Sequence, residues 1–154
     1  MDSLLYTDST HKDIWFKLFL AIPVVIILAP ALYYLNTNET EIAFEMFGTV
    51  VFILAIFWII VPRQYVVFGS KVKIVFGGPF SFTIPFATIK LARIVKGTSF
   101  SMNLPSSLSG KHAVEVVRNK RMSVIITPAN RELFLETLDK ALSDWRKYNS
   151  RGAQ

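Results

Sequence analysis

Two uncharged apolar stretches near the N-terminus restrict this chain more than any other feature. Leu18 to Leu35 and Met46 to Val61 contain no Asp, Glu, Lys or Arg, and each holds eleven Leu, Ile, Phe or Val residues. Near the centre of a bilayer each such residue is worth about −0.3 to −0.6 kcal/mol, which gives each stretch roughly −3 to −7 kcal/mol of insertion drive. A helix of about 20 apolar residues crosses the hydrocarbon core. With their flanks, 14–35 and 42–61, both stretches reach that length. The sequence therefore predicts a transmembrane helical hairpin, with a polar arm at 1–13, one domain at 62–149 and a tail at 150–154.

Charge sets the expected orientation. Residues 62–154 carry 15 Lys/Arg against 5 Asp/Glu, or +10; residues 1–61 carry 2 against 6, or −4. The link between the stretches holds Glu39, Glu41 and Glu45 and no cation. Positive charge stays on the cytoplasmic side, so both termini are expected in the cytoplasm of a multi-pass inner-membrane protein, with the acidic link outside. Trp15 and Trp58 would mark the inner interface, and Tyr33 and Tyr34 the outer one. Ala29-Pro30-Ala31 has the small-x-small form of a leader-cleavage site. Such a leader would be long, with acidic residues ahead of its apolar run, and cleavage is not expected. Pro23 and Pro30 lie near one helix face and predict a bend that fits a neighbouring helix. A broken helix lining a transport path is the rival reading. It is disfavoured because neither stretch has an ionisable residue at its centre.

After Val61 the hydrophobic period changes to two. Tyr65-Val66-Val67-Phe68 reads as a strand, then Val72, Ile74 and Phe76 alternate with Lys71, Lys73 and Val75. Phe80, Phe82 and Ile84 share one face of a third strand. A fourth, Ile89 to Val95, would set Ile89, Leu91, Arg93 and Val95 opposite Lys90, Ala92, Ile94 and Lys96. Phe100, Met102 and Leu104 give a possible fifth. Ala113–Arg118 and Met122–Thr127 form a hairpin about Asn119-Lys120. Seven strand candidates with short links predict an antiparallel barrel or sandwich. A final helix over 128–148 is expected, capped by Thr127 with Pro128 at its first position. Phe134, Leu138, Ala141, Leu142 and Trp145 make its apolar stripe, with Glu132, Glu136, Lys140, Arg146 and Lys147 as the solvated remainder.

Seven strands closed by an amphipathic helix is the outline of a pleckstrin-homology (PH)-like barrel. Arg63-Gln64-Tyr65-Val66-Val67, Val72-Lys73-Ile74, Gly77-Gly78, Ile84-Pro85-Phe86 with Ile89, and Ile126-Thr127-Pro128 with Phe134 together resemble the bacterial PH families. So does Ser106-Ser107 followed by Ala113-Val114-Glu115-Val116. Members of these families are often attached to short transmembrane hairpins. The resemblance spans about Pro62 to Trp145. It implies an α+β fold, with two transmembrane helices followed by a PH-like antiparallel β-barrel and its C-terminal helix. It constrains function weakly, because such barrels serve lipid, peptide and self-assembly roles.

Catalysis finds little support. Four of the five acids after Val61 (Glu132, Glu136, Asp139, Asp144) fall on the final helix, and Glu115 stands alone on a strand. No Gly-rich phosphate loop or nucleophile elbow is present. The chain has no cysteine, and its two histidines, His11 and His112, are far apart in sequence, so no metal or other cofactor is expected. The expected job is non-enzymatic: a scaffold or accessory subunit of a membrane complex, with a protein partner or a second copy of the chain. Phe100, Met102 and Leu104 would form a partner loop. The alternative is an anionic-lipid sensor whose membrane surface comprises Arg63, Lys90, Arg93, Lys96, Arg118, Lys120 and Arg121, each cation near the inner leaflet being worth about 1 kcal/mol. A small transport component is a further alternative. Nucleic acid is not expected, because the aromatic residues fall on predicted core faces rather than among the cations.

Overall fold

The computed structural model describes residues 3–95, 101–103 and 113–151. Two long helices, α1 (Ile14–Asn36) and α2 (Thr40–Ile60), form the hairpin, within two residues of the expected bounds. Asp13 caps α1, its carboxylate accepting the Phe16 N–H at 2.7 Å. The turn between the helices places Asn38 in the left-handed region, a conformation its short polar side chain tolerates. α1 continues through both Pro23 and Pro30, which goes against the rival reading of a broken helix. Phe19, Ile26, Phe44 and Phe52 are each more than half exposed. A pair of core helices would cover such residues with protein. Here both helices are long and apolar enough to cross a membrane, and their windows of highest hydropathy are almost wholly uncovered.

The rest of the chain forms two sheets and a helix. The first sheet has the order β1 (Leu4–Ser9), β2 (Gln64–Phe68), β3 (Lys71–Val75), β4 (Ser81–Pro85), with antiparallel neighbours throughout. A short 3-10 turn, Phe86–Thr88, leads into the second. That sheet has the order β5 (Ile89–Ile94), β7 (Val114–Arg118), β8 (Ser123–Ile126), β6 (Ser101–Asn103). Helix α3 (Arg131–Arg151) packs against β1, β2 and β5. Tyr65, Ile74 and Ile84 from the first sheet meet Val116 and Ile126 from the second and Phe134 and Leu138 from α3, all fully buried. Each large side chain removed from water in this way contributes about 1.5–3 kcal/mol. Among the described residues no strand pairing joins the two sheets into a closed barrel.

Five differences from the sequence reading have physical causes. The polar arm contains a strand: β1 pairs with β2 from Ser9↔Gln64 to Leu4↔Phe68. Its side chains alternate too weakly to announce it, and its partner lies beyond the whole hairpin. A register shift between Ile89 and Leu91 flips the outer part of β5. Ala92, opposite Val116, therefore packs on the core, while Leu91 and Arg93 face outward. Phe80 falls outside β4 and is 52% exposed, so only Phe82 and Ile84 keep the inner face. The fifth strand is β6, and it runs parallel to β8 rather than antiparallel. Finally, α3 is capped by Asn130, whose Oδ1 accepts the Leu133 N–H at 3.2 Å. Thr127 is engaged elsewhere: its N–H donates to the Tyr65 phenol and its carbonyl accepts the His11 N–H.

β1 fastens the start of α3 as well as the sheet. The buried Asp8 carboxylate accepts the Asn130 N–H at 2.9 Å. Its neighbour Tyr6 stacks edge-on against Phe134, and the phenol hydrogen-bonds Asp8. Burial, reinforced by that carboxylate, holds the Tyr6 pKa above its ordinary value. Asp8→Ala leaves a backbone donor without its acceptor at the helix start. It is expected to lower stability by about 1–3 kcal/mol, read as a lower thermal midpoint of the full-length protein in detergent.

The turn after β3 is pressed against the end of α2. A Cβ built on Gly77 would lie 1.8 Å from the Trp58 carbonyl oxygen, and Gly78, at φ 65°, lies under the Trp58 ring. Backbone on both sides leaves no flexible group to yield. Gly77→Ala is expected to cost at least about 1–3 kcal/mol. Gly48→Ala, on the open face of α2 with nothing within 4 Å of its Cβ, should cost nothing in the same melt.

Candidate functional site

The cations named from sequence divide into groups with different surroundings. Arg118, Lys120 and Arg121 sit together at the β7–β8 hairpin, where Lys120 takes a left-handed turn conformation. Lys90 joins them, because Ile89 pairs with Arg118 across the two strands. Lys90, Lys120 and Arg121 are exposed. Arg118 is half-buried, with its guanidinium carbon 5.8 Å from the centre of the Phe82 ring. Burial and the nearby Arg121 lower its pKa, which still leaves it charged at neutral pH.

Hydrogen bonds fix where this cluster lies. The Asn119 N–H donates to the Thr88 carbonyl at 2.7 Å, and the Phe86 N–H donates to the Ser70 carbonyl at 2.9 Å. Ser70 is in the β2–β3 turn, at the end of β2 remote from α2. At the other end of β8, Thr10 bridges Pro128 next to the start of α1. The basic tip is thus one strand length, roughly 15 Å, from the point where the helices meet the sheets. A lipid surface potential decays within a Debye length of about 8 Å at physiological salt.

Arg93 is not a free surface charge. Its Nε donates to Glu115 Oε2 at 2.8 Å across the β5–β7 pair, and Glu115 is buried. Arg63, by contrast, stands at the helix junction. Its backbone is fixed by the Val75 carbonyl at 2.8 Å and by the Thr10 N–H at 3.2 Å. Its guanidinium carbon lies 5.0 Å from the centre of the Trp58 ring, so Trp58 is a packing partner for both Arg63 and Gly78. Of the remaining named residues, Met102 belongs to β6, while Lys96, Phe100 and Leu104 lie outside the described residues.

Two features escaped sequence reasoning. Arg146, assigned there to a solvated face, donates to the Lys90 carbonyl at 2.7 Å and the Ile89 carbonyl at 3.2 Å. It clamps α3 onto β5 where the register shifts. No local signal reveals this, because the acceptors are backbone groups 56 and 57 residues away. The second feature is a shallow groove of about 310 Å³ between α3 and β1, lined by Leu5, Leu133, Ala141 and the polar residues Glu136, Lys140 and Asp144. It lies beside the outer edge of β1, which has no strand partner among the described residues. Leu4 and Leu5 there are 61% and 47% exposed.

Arg146→Ala removes two charge-assisted bonds to backbone. It is expected to cost about 1.5–3 kcal/mol, whereas Lys120→Ala, at the exposed tip, should leave the thermal midpoint unchanged or higher.

Comparison with known proteins gives one family: the model for a bacterial PH domain matches residues 63–142, just over half of the chain. No curated protein and no solved structure matches.

Proposed function

The chain belongs to the bacterial PH domain family, and we propose that it is a non-enzymatic membrane scaffold or accessory subunit that holds a protein partner, or a second copy of itself, at the cytoplasmic face of the inner membrane. The observation that carries this reading is the outer edge of β1 beside the α3 groove, which has no strand partner among the described residues and is closed only at its end, where the Ser9 carbonyl accepts the Ala129 N–H. An exposed edge strand with apolar side chains is a template for pairing with another chain. An added strand would gain backbone hydrogen bonds there, and the groove would take its side chains. The chain also enters the first sheet before α1 and re-enters it directly after α2. A partner on β1 would therefore be held in one orientation to the membrane rather than on a flexible leash. Lipid sensing through the basic tip ranks behind, since the tip lies a strand length from the helix junction.

The test is affinity purification of the full-length protein in mild detergent, with mass spectrometry and native mass determination. A stoichiometric partner or a discrete homo-oligomer is expected, and Leu5→Lys, at an exposed position, should release it without lowering the melting temperature. A lone monomer carrying only lipid would overturn the scaffold reading.

Orientation is open to direct measurement because the chain has no cysteine of its own. With Asn38→Cys, a membrane-impermeant maleimide is expected to label intact cells. With Lys120→Cys, labelling should require permeabilisation. The reverse pattern would place the domain outside.

A further inference from the structure

A second cleft, of about 470 Å³, opens where α1 and α2 join the sheets. Its lining is divided chemically. Leu20, Leu54, Phe57 and Val61 are apolar, Lys12 and Arg63 are cationic, and Trp58 stands between the two kinds. The division follows depth along the hairpin. Lys12 precedes α1 and Arg63 follows α2, whereas Leu20 and Leu54 are each six residues inside the helix ends. At 1.5 Å per residue that is roughly 9 Å of helix. Both cations are exposed, and among the described residues neither forms an ion pair. Arg63 is steadied over the Trp58 ring, which orients a planar fork suited to a phosphate.

We propose that this cleft binds one anionic glycerophospholipid of the adjoining leaflet, its phosphate between Lys12 and Arg63 and an acyl chain along Leu20, Leu54 and Phe57. The inference rests on the reading that α1 and α2 span the membrane. A free phosphate would leave the apolar part of the cleft unused. A zwitterionic lipid would bring its own cation toward Lys12 and Arg63. The basic tip cannot contribute, being at the far end of β8. Lys12 belongs to the segment between β1 and α1, and Arg63 to the link between α2 and β2. A lipid held by both would therefore brace the two crossings between hairpin and domain.

The test uses full-length protein in detergent, titrated with phosphatidylglycerol or phosphatidylcholine and read by native mass spectrometry. Phosphatidylglycerol is expected to bind on the order of tenfold more tightly. Lys12→Gln with Arg63→Gln should abolish that preference, Arg63→Lys should keep most of it, and Lys120→Gln with Arg121→Gln should leave it intact. Should the double variant fold poorly, Lys12→Gln alone, outside any helix or strand, should reduce the preference severalfold. Equal binding of the two lipids, or a preference that survives loss of Lys12, would overturn the proposal. Glycerol phosphate competing as well as the diacyl lipid would overturn it too. Carbonate extraction of membranes reads the underlying assumption separately: protein released to the supernatant sinks the spanning reading whatever the lipid ratio.

Discussion

Pairing of β1 with β2 is the constraint on which the rest of the structure depends. These strands are neighbours in space but are separated in sequence by both helices of the hairpin. Loop closure over so long a segment is unfavourable for a flexible chain. Here the segment is itself a hairpin whose two ends return to the same place. Antiparallel packing of α1 and α2 delivers residue 13 beside residue 61, and the sheet then needs only to zip the flanking strands together. Folding of the hairpin and completion of the sheet are thus one problem.

That arrangement explains why so much close packing collects at one end of the domain. Gly77 and Gly78 fit against Trp58, Trp58 supports Arg63, the Arg63 carbonyl accepts from Thr10, and Thr10 bridges Pro128 ahead of α3. All of these contacts except that between Trp58 and Arg63 join elements from different parts of the chain. Together they make the passage from helix to sheet stiff at both crossings. A domain built to swing on a tether would have a polar, glycine- or serine-rich linker there. A stiff base fits the proposed scaffold role, in which an outer surface would meet a partner at a set angle.

The same geometry sorts the positive charge. By composition the segment after Val61 is one basic body of +10. In the folded protein Arg93 is taken by Glu115, Arg146 by two carbonyls of β5, and Arg118 is drawn over Phe82. Of the other cations considered for a lipid surface, Lys90, Lys120 and Arg121 stay exposed at the tip, and Arg63 stands exposed at the opposite end, where Lys12 from the N-terminal arm lines the same cleft. Lys12 and Arg63 lie beside the apolar helices, whereas the tip is a strand length away. Net charge alone thus does not locate the exposed cations.

Much of the architecture was legible in the sequence because it depends on short-range pattern. Uninterrupted apolar length defined both helices to within two residues. Short apolar or alternating runs defined β2, β3, β4, β7 and β8, and the stripe from Phe134 to Trp145 defined α3. These signals arise from one element facing one environment, so neighbouring residues carry them. β1, the cap of α3, the outer face of β5, the parallel placement of β6 and the meeting of Lys12 with Arg63 were not legible. Each depends on which backbone groups or side chains arrive from a distant part of the chain. Thr127 has the chemistry of a cap, yet tertiary hydrogen bonds claim it; Lys12 has the look of a stray charge, yet the hairpin brings it to Arg63. The sequence by itself determined that two apolar helices precede a β-rich, basic domain, since hydrophobic period and length are local properties. Only the tertiary structure decided that the N-terminal arm completes the sheet and which cations stand at the helix junction, since those outcomes are set by closure of the chain on itself.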